Sequence, residues 1–202
     1  WGSDFFGGDL AGIIEKLDYL DELGVTALYL NPIFEARSNH RYDTSNYLAI
    51  DRMLGTREDF ETLIAEADAR GMKVILDGVF NHMSSDSPFF DRYDRFPSVV
   101  GACESEDSDW RDWFFFVQPV GPQPALCAGD ESFYVSWAGF DSIPKLNNEH
   151  REVRDYFIEA EDSVVRTWGE AGIGGWRLDV GGDIDPGGPS NDYWELFREV
   201  VR

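Results

Sequence analysis

The sequence is poor in sulfur, in histidine and in positive charge. Cys103 and Cys127 are the only cysteines among 202 residues. They do not form a Cys-x-x-Cys motif, which argues against a zinc site, and spacing leaves open whether the two pair. Lysine and arginine number 17 against 39 aspartates and glutamates, for a net charge of -22. So negative a surface repels phosphate backbones and anionic lipid, which argues against nucleic acid and membrane partners. The simplest account of the charge is a well-solvated surface. No apolar run approaches the roughly 20 residues needed to cross a bilayer. No G-x-G-x-x-G or G-x-x-x-x-G-K-S/T run follows an apolar strand, so a dinucleotide-binding or kinase-like phosphate cradle lacks its parts. Neither Met nor a signal-peptide pattern precedes Trp1, and Arg202 falls inside a helical pattern. The chain is therefore expected to be a piece of a longer protein, and localisation stays open, with cytoplasm as the default.

One grammar recurs three times: amphipathic helix, glycine, apolar strand. Leu10, Ile13, Ile14, Leu17 and Leu20 share a helical face, and Gly24 releases the chain into VTALYL. Thr56 is placed to cap a helix with Phe60, Leu63, Ile64 and Ala67 inward, and Asp59 completes a short-armed capping box. Gly71 ends that helix before a strand from Lys73 to Val79. Val153, Tyr156, Phe157, Ala160 and Val164 mark a third helix, followed by Gly172 and the strand GWRLDV. A fourth helix is expected from Ser190, with Tyr193, Trp194 and Phe197 inward. Helices alternating with wholly apolar strands predict a parallel α/β sheet with the helices outside it. Periodicity alone allows either a doubly wound sheet or a barrel. Between the second and third units, roughly Met83 to Asn147, lies an irregular stretch rich in Pro, Gly, Asp and aromatics. It is too long for an ordinary loop and reads as a small inserted domain. Its aromatics are expected mainly to fill their own core, with a few left as sugar-stacking platforms.

Polar residues interrupt the strands only at their C-terminal ends, where parallel α/β folds build their sites. In GWRLDV, a period of two puts Arg177 and Asp179 on one face. A guanidinium favours the ionised form of a neighbouring carboxylate, and pairing makes burial of both tolerable. A rigidly held, ionised carboxylate suits a glycosidase nucleophile, although such a pair alone is more often structural. The strand end DGVFNH brings Asp77, Asn81 and His82 to the same mouth.

Four strings then resemble the signatures of the α-amylase family of glycoside hydrolases, in order and in register. They are SNHRYDTSNY at Ser38 to Tyr47, DGVFNH at Asp77 to His82, IPKLN at Ile143 to Asn147, and GWRLDV at Gly175 to Val180. With FFGGDL, the set is most similar to the neopullulanase, cyclomaltodextrinase and maltogenic amylase branch. The resemblance implies a partial β/α (TIM-type) barrel with an irregular domain inserted after the third barrel strand. Residues 1–82 would be the first part of the barrel, 83–147 the inserted domain and 148–202 the continuation. The three strands would be the second to fourth of eight.

The resemblance also implies roles. Asp179 would be the nucleophile of a retaining double displacement on α-glucosidic bonds of starch-like oligosaccharides, cyclodextrins or pullulan, with Arg177 holding it. His82 would hydrogen-bond the sugar at the cleavage point, and Tyr42 would stack beneath it. Asp77 would brace the site, and Asp43 follows the stacking tyrosine in the usual way. Asp183 falls in a segment lining the leaving-group side, where Gly181-Gly182-Asp183 replaces the branch's usual Ala-Asn-Glu. The family's proton donor and third carboxylate follow later strands, so the chain alone is expected to be inactive. A non-catalytic, amylase-like binding or interaction module is the alternative. No cofactor is expected for the chemistry, and a homodimer of the intact protein is compatible with the branch. Structural calcium is implied for many members. Gly7 and Asp9 match two ligands of one such site whose other ligands would precede Trp1. This chain is therefore expected to bind calcium weakly at best, with structural calcium left open for the intact protein. At a second site Asn81 matches a ligand, but Lys145 stands where an aspartate is common. Its ammonium is expected to replace the ion and donate to Asn81, the alternative being a lysine directed to solvent.

Overall fold

A computed structural model describes residues 4–117, 125–128, 132–182 and 189–201 of the chain. Asp9, in extended conformation, opens α1 (Leu10–Ile14) by accepting the Gly12 N–H at 2.7 Å. The single first helix expected from periodicity is broken. The Lys16 N–H bonds back to Ile13 at 2.9 Å, a tighter turn, before α2 (Leu17–Glu22) resumes. The apolar face survives the break, with Leu10 and Leu17 both buried. Then come β1 (Ala27–Tyr29) and an antiparallel hairpin of β2 (Phe34–Ala36) and β3 (Thr44–Ile50).

Helix α3 (Arg57–Ala69) starts as its sequence dictates. Thr56 and Asp59 form the reciprocal capping box, and Phe60, Leu63 and Ala67 are buried, with Ile64 packed at the margin. It leads into β4 (Lys73–Gly78). In the irregular stretch, β5 (Phe116–Val117), β6 (Ala125–Leu126) and β7 (Phe133–Tyr134) pair antiparallel in the order β5-β7-β6. Cys103 and Cys127, both buried, form a disulfide. Phe90 packs edge-on against Phe114 and Tyr134, each at 4.7 Å between ring centroids, so these aromatics fill a local core.

The third expected helix is also two. Helix α4 (Arg151–Arg154) runs into a π-helical turn, Asp155–Glu159, where the Ala160 N–H reaches back to Asp155 at 3.1 Å. Ala160 is extended, Ser163 (φ -60°, ψ 157°) supplies a new N-cap residue, and α5 (Val164–Glu170) begins. Chain direction thus changes between Ala160 and Val164, which periodicity had put on one helix. Strand β8 (Gly175–Leu178) and helix α6 (Asn191–Val201) follow. Tyr193 and Phe197 are buried and Trp194 is packed against the core.

The main sheet has the order β1-β4-β8, all parallel, with Ala27 opposite Lys73 and Asp77 opposite Arg177. At its base, a Cβ on Gly174 would lie 2.6 Å from the Lys73 Cβ, so only glycine permits this approach of chains. On the helical side Trp168 is fully buried against Phe34 and Phe60, and its indole donates to the Tyr47 carbonyl at 2.8 Å. That bond ties α5 to β3. No helix among the described residues is long and apolar enough to cross a membrane.

Candidate active site

Strand register builds the site. Tyr29 is opposite Ile75, Asp77 lies two residues beyond Ile75, and Arg177 is opposite Asp77. Side chains alternate along strands and opposed residues share a face, so Tyr29, Asp77, Arg177 and, two further on, Asp179 all project from one face at the C-terminal ends. The strand expected to reach Val180 stops at Leu178. The Asp179 N–H still bonds to the Gly78 carbonyl at 3.0 Å, but Val180 turns into left-handed conformation (φ 52°). That turn is strained for a β-branched residue and swings the chain away just after Asp179.

Asp77 is the hub. Its side chain is inaccessible to solvent and accepts hydrogen bonds from Tyr29, from Tyr42 at 3.0 Å, and from Arg177 Nη1 at 3.0 and 3.2 Å. The same Arg177 nitrogen donates to Asp179 Oδ1 at 2.7 Å. Burial works against the charge on Arg177, yet its bonds to Asp77 and Asp179 outweigh that effect and raise its pKa above the usual guanidinium value. Burial first, then the bond to Asp77, raises the pKa of Tyr29; burial is also the largest cause of the raised pKa of Tyr42. Both phenols thus remain donors over the ordinary pH range. The Arg177 side chain is 44% exposed, contrary to the buried setting expected from sequence. The cause is its strand: β8 has only β4 beside it among the described residues.

Above this hub opens a cleft of about 370 Å³ lined by His40, Tyr42, His82, Trp137, Phe140, Ser142, Ile143 and Asp179. Buried His82 stacks on Trp137 at 5.6 Å between centroids, and Trp137 stacks in turn on exposed Phe140 at 6.4 Å. Asp179 is the only carboxylate in the lining among the described residues. One of its oxygens is held by Arg177. A larger groove of about 770 Å³ along β1 and α1 holds no comparable constellation.

Of the residues singled out from sequence, Tyr42, His82 and Asp179 therefore line the cleft, while Asp77 and Arg177 lie behind it. Asp43 is buried outside the lining and holds its own loop, accepting the Ser38 N–H at 3.2 Å and the Ser38 hydroxyl. Asp183 lies outside the described residues. Tyr29, His40, Trp137 and Phe140 went unrecognised in the sequence. Tyr29 carried a usable signal, being the hydroxyl at the C-terminal end of an otherwise apolar strand.

For a metal, the fit is poor. Asp9 caps α1, and it belongs to no group of three or more His, Cys, Asp or Glu ligands among the described residues. The one such group, Asp91, Asp94 and Glu104, is engaged with its own loop, Asp91 accepting the N–H groups of Arg95 and Phe96 at 2.9 Å. Lys145 is not directed to solvent: it is 1% exposed and bridged antiparallel to His82. The expected bond to Asn81 is not made, since Asn81 Oδ1 accepts none. Opposed residues share a face, so pairing with His82 carries the Lys145 side chain to that residue's side rather than to its neighbour's.

A parallel β/α sheet carrying an arginine-held aspartate at its C-terminal mouth is the architecture of a β/α-barrel glycosidase. Residues 2–196 match the model of the alpha-amylase catalytic domain, and the chain belongs to that family, carrying part of its barrel. It is 41% identical to an amylopullulanase of Thermoanaerobacterium saccharolyticum, covering all of this chain and 16% of that protein. It is also 41% identical to neopullulanase 2 of Thermoactinomyces vulgaris, covering 98% of this chain and 30% of the relative. Among solved structures, the cyclic alpha-maltosyl-(1→6)-maltose hydrolase of Arthrobacter globiformis superimposes with a TM-score of 0.79 at 39% identity. That match covers the whole chain and 42% of the hydrolase. The chain thus spans less than half of each of these relatives.

Proposed function

We propose that the protein carrying this chain hydrolyses α-glucosidic bonds in starch-like oligosaccharides, cyclodextrins or pullulan, with Asp179 as nucleophile of a retaining double displacement. The observation that carries this reading is the convergence of Asp77 and Asp179 on one guanidinium nitrogen of Arg177 at the mouth of the parallel strands. Arg177 fixes one carboxylate oxygen of Asp179, so the other is poised for in-line attack on an anomeric carbon. Tyr42, anchored through its hydroxyl to Asp77, offers a ring face to the sugar, and His82 supports the opposite wall. A glycosidase of this kind needs a second carboxylate to protonate the departing oxygen, and the described residues of the cleft do not supply one. The named activities of the relatives agree with the enzyme reading; no observation favours a non-catalytic module.

The Asn81 position would hold no calcium on this reading, because the buried ammonium of Lys145 brings positive charge and no oxygen ligand to that end of β4.

The test is Asp179→Asn in the full-length protein, assayed for reducing-sugar release from maltotriose and pullulan. The substitution is nearly isosteric but deletes the attacking charge. A loss of roughly three or more orders of magnitude with an unchanged melting temperature is expected. Turnover within tenfold of wild type would remove Asp179 from the role.

A further inference from the structure

The loop between β2 and β3 carries an imidazole to the cleft with its protonation pattern already set. His40 lines the wall that also holds Tyr42, and its ring lies 5.9 Å from the Tyr42 ring. Nδ1 is turned into the loop, where it receives the Tyr42 backbone N–H at 3.1 Å and lies 3.0 Å from the Ser38 hydroxyl. Backbone geometry fixes the hydrogen of the Tyr42 amide, so Nδ1 must be the bare nitrogen. Ser38 does not upset this pattern. Its hydroxyl is bonded to the buried Asp43 carboxylate, and its oxygen accepts the Arg41 N–H at 3.1 Å. In the neutral ring the proton therefore sits on Nε2, which none of these loop bonds uses, and His40 borders both the cleft and the larger groove along β1 and α1.

We propose that His40 is a substrate-binding residue, a neutral imidazole whose Nε2–H donates to a hydroxyl of the glucosyl unit seated beside Asp179. The proposal rests on the reading of the cleft as an α-glucan site. The lining otherwise consists mainly of ring faces and apolar side chains, namely Tyr42, Trp137, Phe140 and Ile143. Such surfaces bind the faces of a pyranose and say little about its hydroxyls, so a fixed donor at the edge supplies orientation. Because Nδ1 is bonded to the amide of Tyr42, donor and stacking platform are held in one loop, and Asp43 locks that loop from behind. This gives Asp43 a positioning role without contact to the sugar.

Two amide substitutions separate binding from loop structure. In His40→Asn the amide oxygen can take the place of Nδ1 and keep the Tyr42 N–H, but no donor reaches the cleft. In His40→Gln the longer side chain can present an amide N–H where Nε2 was. Both are made in the full-length protein, alone and in the Asp179→Asn background, where maltotriose binding is read by calorimetry without cleavage. Losing one neutral hydrogen bond should raise Kd and KM for His40→Asn by roughly three- to tenfold, with the loss falling on KM more than on kcat and the melting temperature held. His40→Gln should recover most of the affinity. Wild-type affinity in a folded His40→Asn protein, or equal losses in both variants, would overturn the donor assignment and leave the cleft reading standing. If the Asp179→Asn protein binds no maltotriose and the wild type cleaves none, the cleft reading fails and the proposal falls with it.

Discussion

Removing the Asp77 carboxylate tests whether the site is organised as a hub or as separate contacts. Its side chain is fully shielded and accepts from Tyr29, Tyr42 and Arg177. Hydrogen bonds to a charged acceptor contribute about 1.5–3 kcal/mol each, but three that share one carboxylate do not add. Arg177 keeps Asp179 as a partner once Asp77 is gone. Asp77→Ala should therefore cost about 2–4 kcal/mol of stability, and Asp77→Asn, which keeps shape and an acceptor oxygen, about half as much. Activity should fall more steeply than stability. Arg177 and Tyr42 both lose their anchor, and a displacement near 1 Å at the reacting carboxylate is worth about 100-fold in kcat, or roughly 3 kcal/mol. The asparagine variant should recover about tenfold of that by restoring an acceptor. Denaturant midpoints and kcat on maltotriose, measured on the full-length protein, give both numbers. Wild-type kcat in Asp77→Ala would refute the hub. An Asp77→Asn variant as inert as Asp179→Asn would instead show that Asp77 takes part in the chemistry.

Other outcomes follow from the same geometry. The 202-residue chain expressed alone should release no measurable reducing sugar from maltodextrin, because among the described residues its cleft holds a single carboxylate; release well above a buffer blank would contradict that. Calcium added to the chelator-treated full-length protein should leave an Asn81→Ala variant and the wild type with the same melting shift, on the reading that the positive charge of buried Lys145, bridged to the neighbouring His82, excludes an ion there; a shift lost only in the variant would place an ion at Asn81. Tyr193→Phe should stabilise by about 1 kcal/mol, because the buried hydroxyl has no partner among the described residues. Burial raises the Tyr193 pKa, so the folded form resists ionisation while the unfolded chain releases its proton near pH 10. Wild-type stability should thus fall as pH rises past about 10, and the advantage of the phenylalanine variant, read from denaturant midpoints, should widen there.

Asp77, Arg177, Asp179 and His82 were legible because strand chemistry is local: polar groups at the end of an apolar run stand out, and a period of two fixes their face. The capping box of α3 was legible for the same reason, since all its bonds lie within four residues. Breaks in helices were not. The 3.6-residue pattern continues through the π turn at Asp155–Glu159 and the extended Ala160, because apolar residues resume on the core side after the chain has changed direction. Tyr29 and His40 escaped because their roles depend on long-range placement. Tyr29 meets Asp77 only once β1 and β4 are in register, and His40 enters the cleft only once its loop folds over β4.

The sequence suggested that burial makes the pairing of Arg177 with Asp179 favourable. In this part of the barrel, where β8 has only β4 beside it among the described residues, Arg177 is 44% exposed. What holds the pair is instead the shielded carboxylate of Asp77 directly across the sheet. A guanidinium between two carboxylates is favourable even when half solvated, because one of them has no access to water and must find its partners within the protein. Arg177 is therefore aimed by Asp77, and Asp179 by Arg177, so the orientation of the Asp179 carboxylate is set two residues away from it in space. A substitution at Asp77, which does not touch the cleft, should consequently change turnover more than one at Ser142, which does.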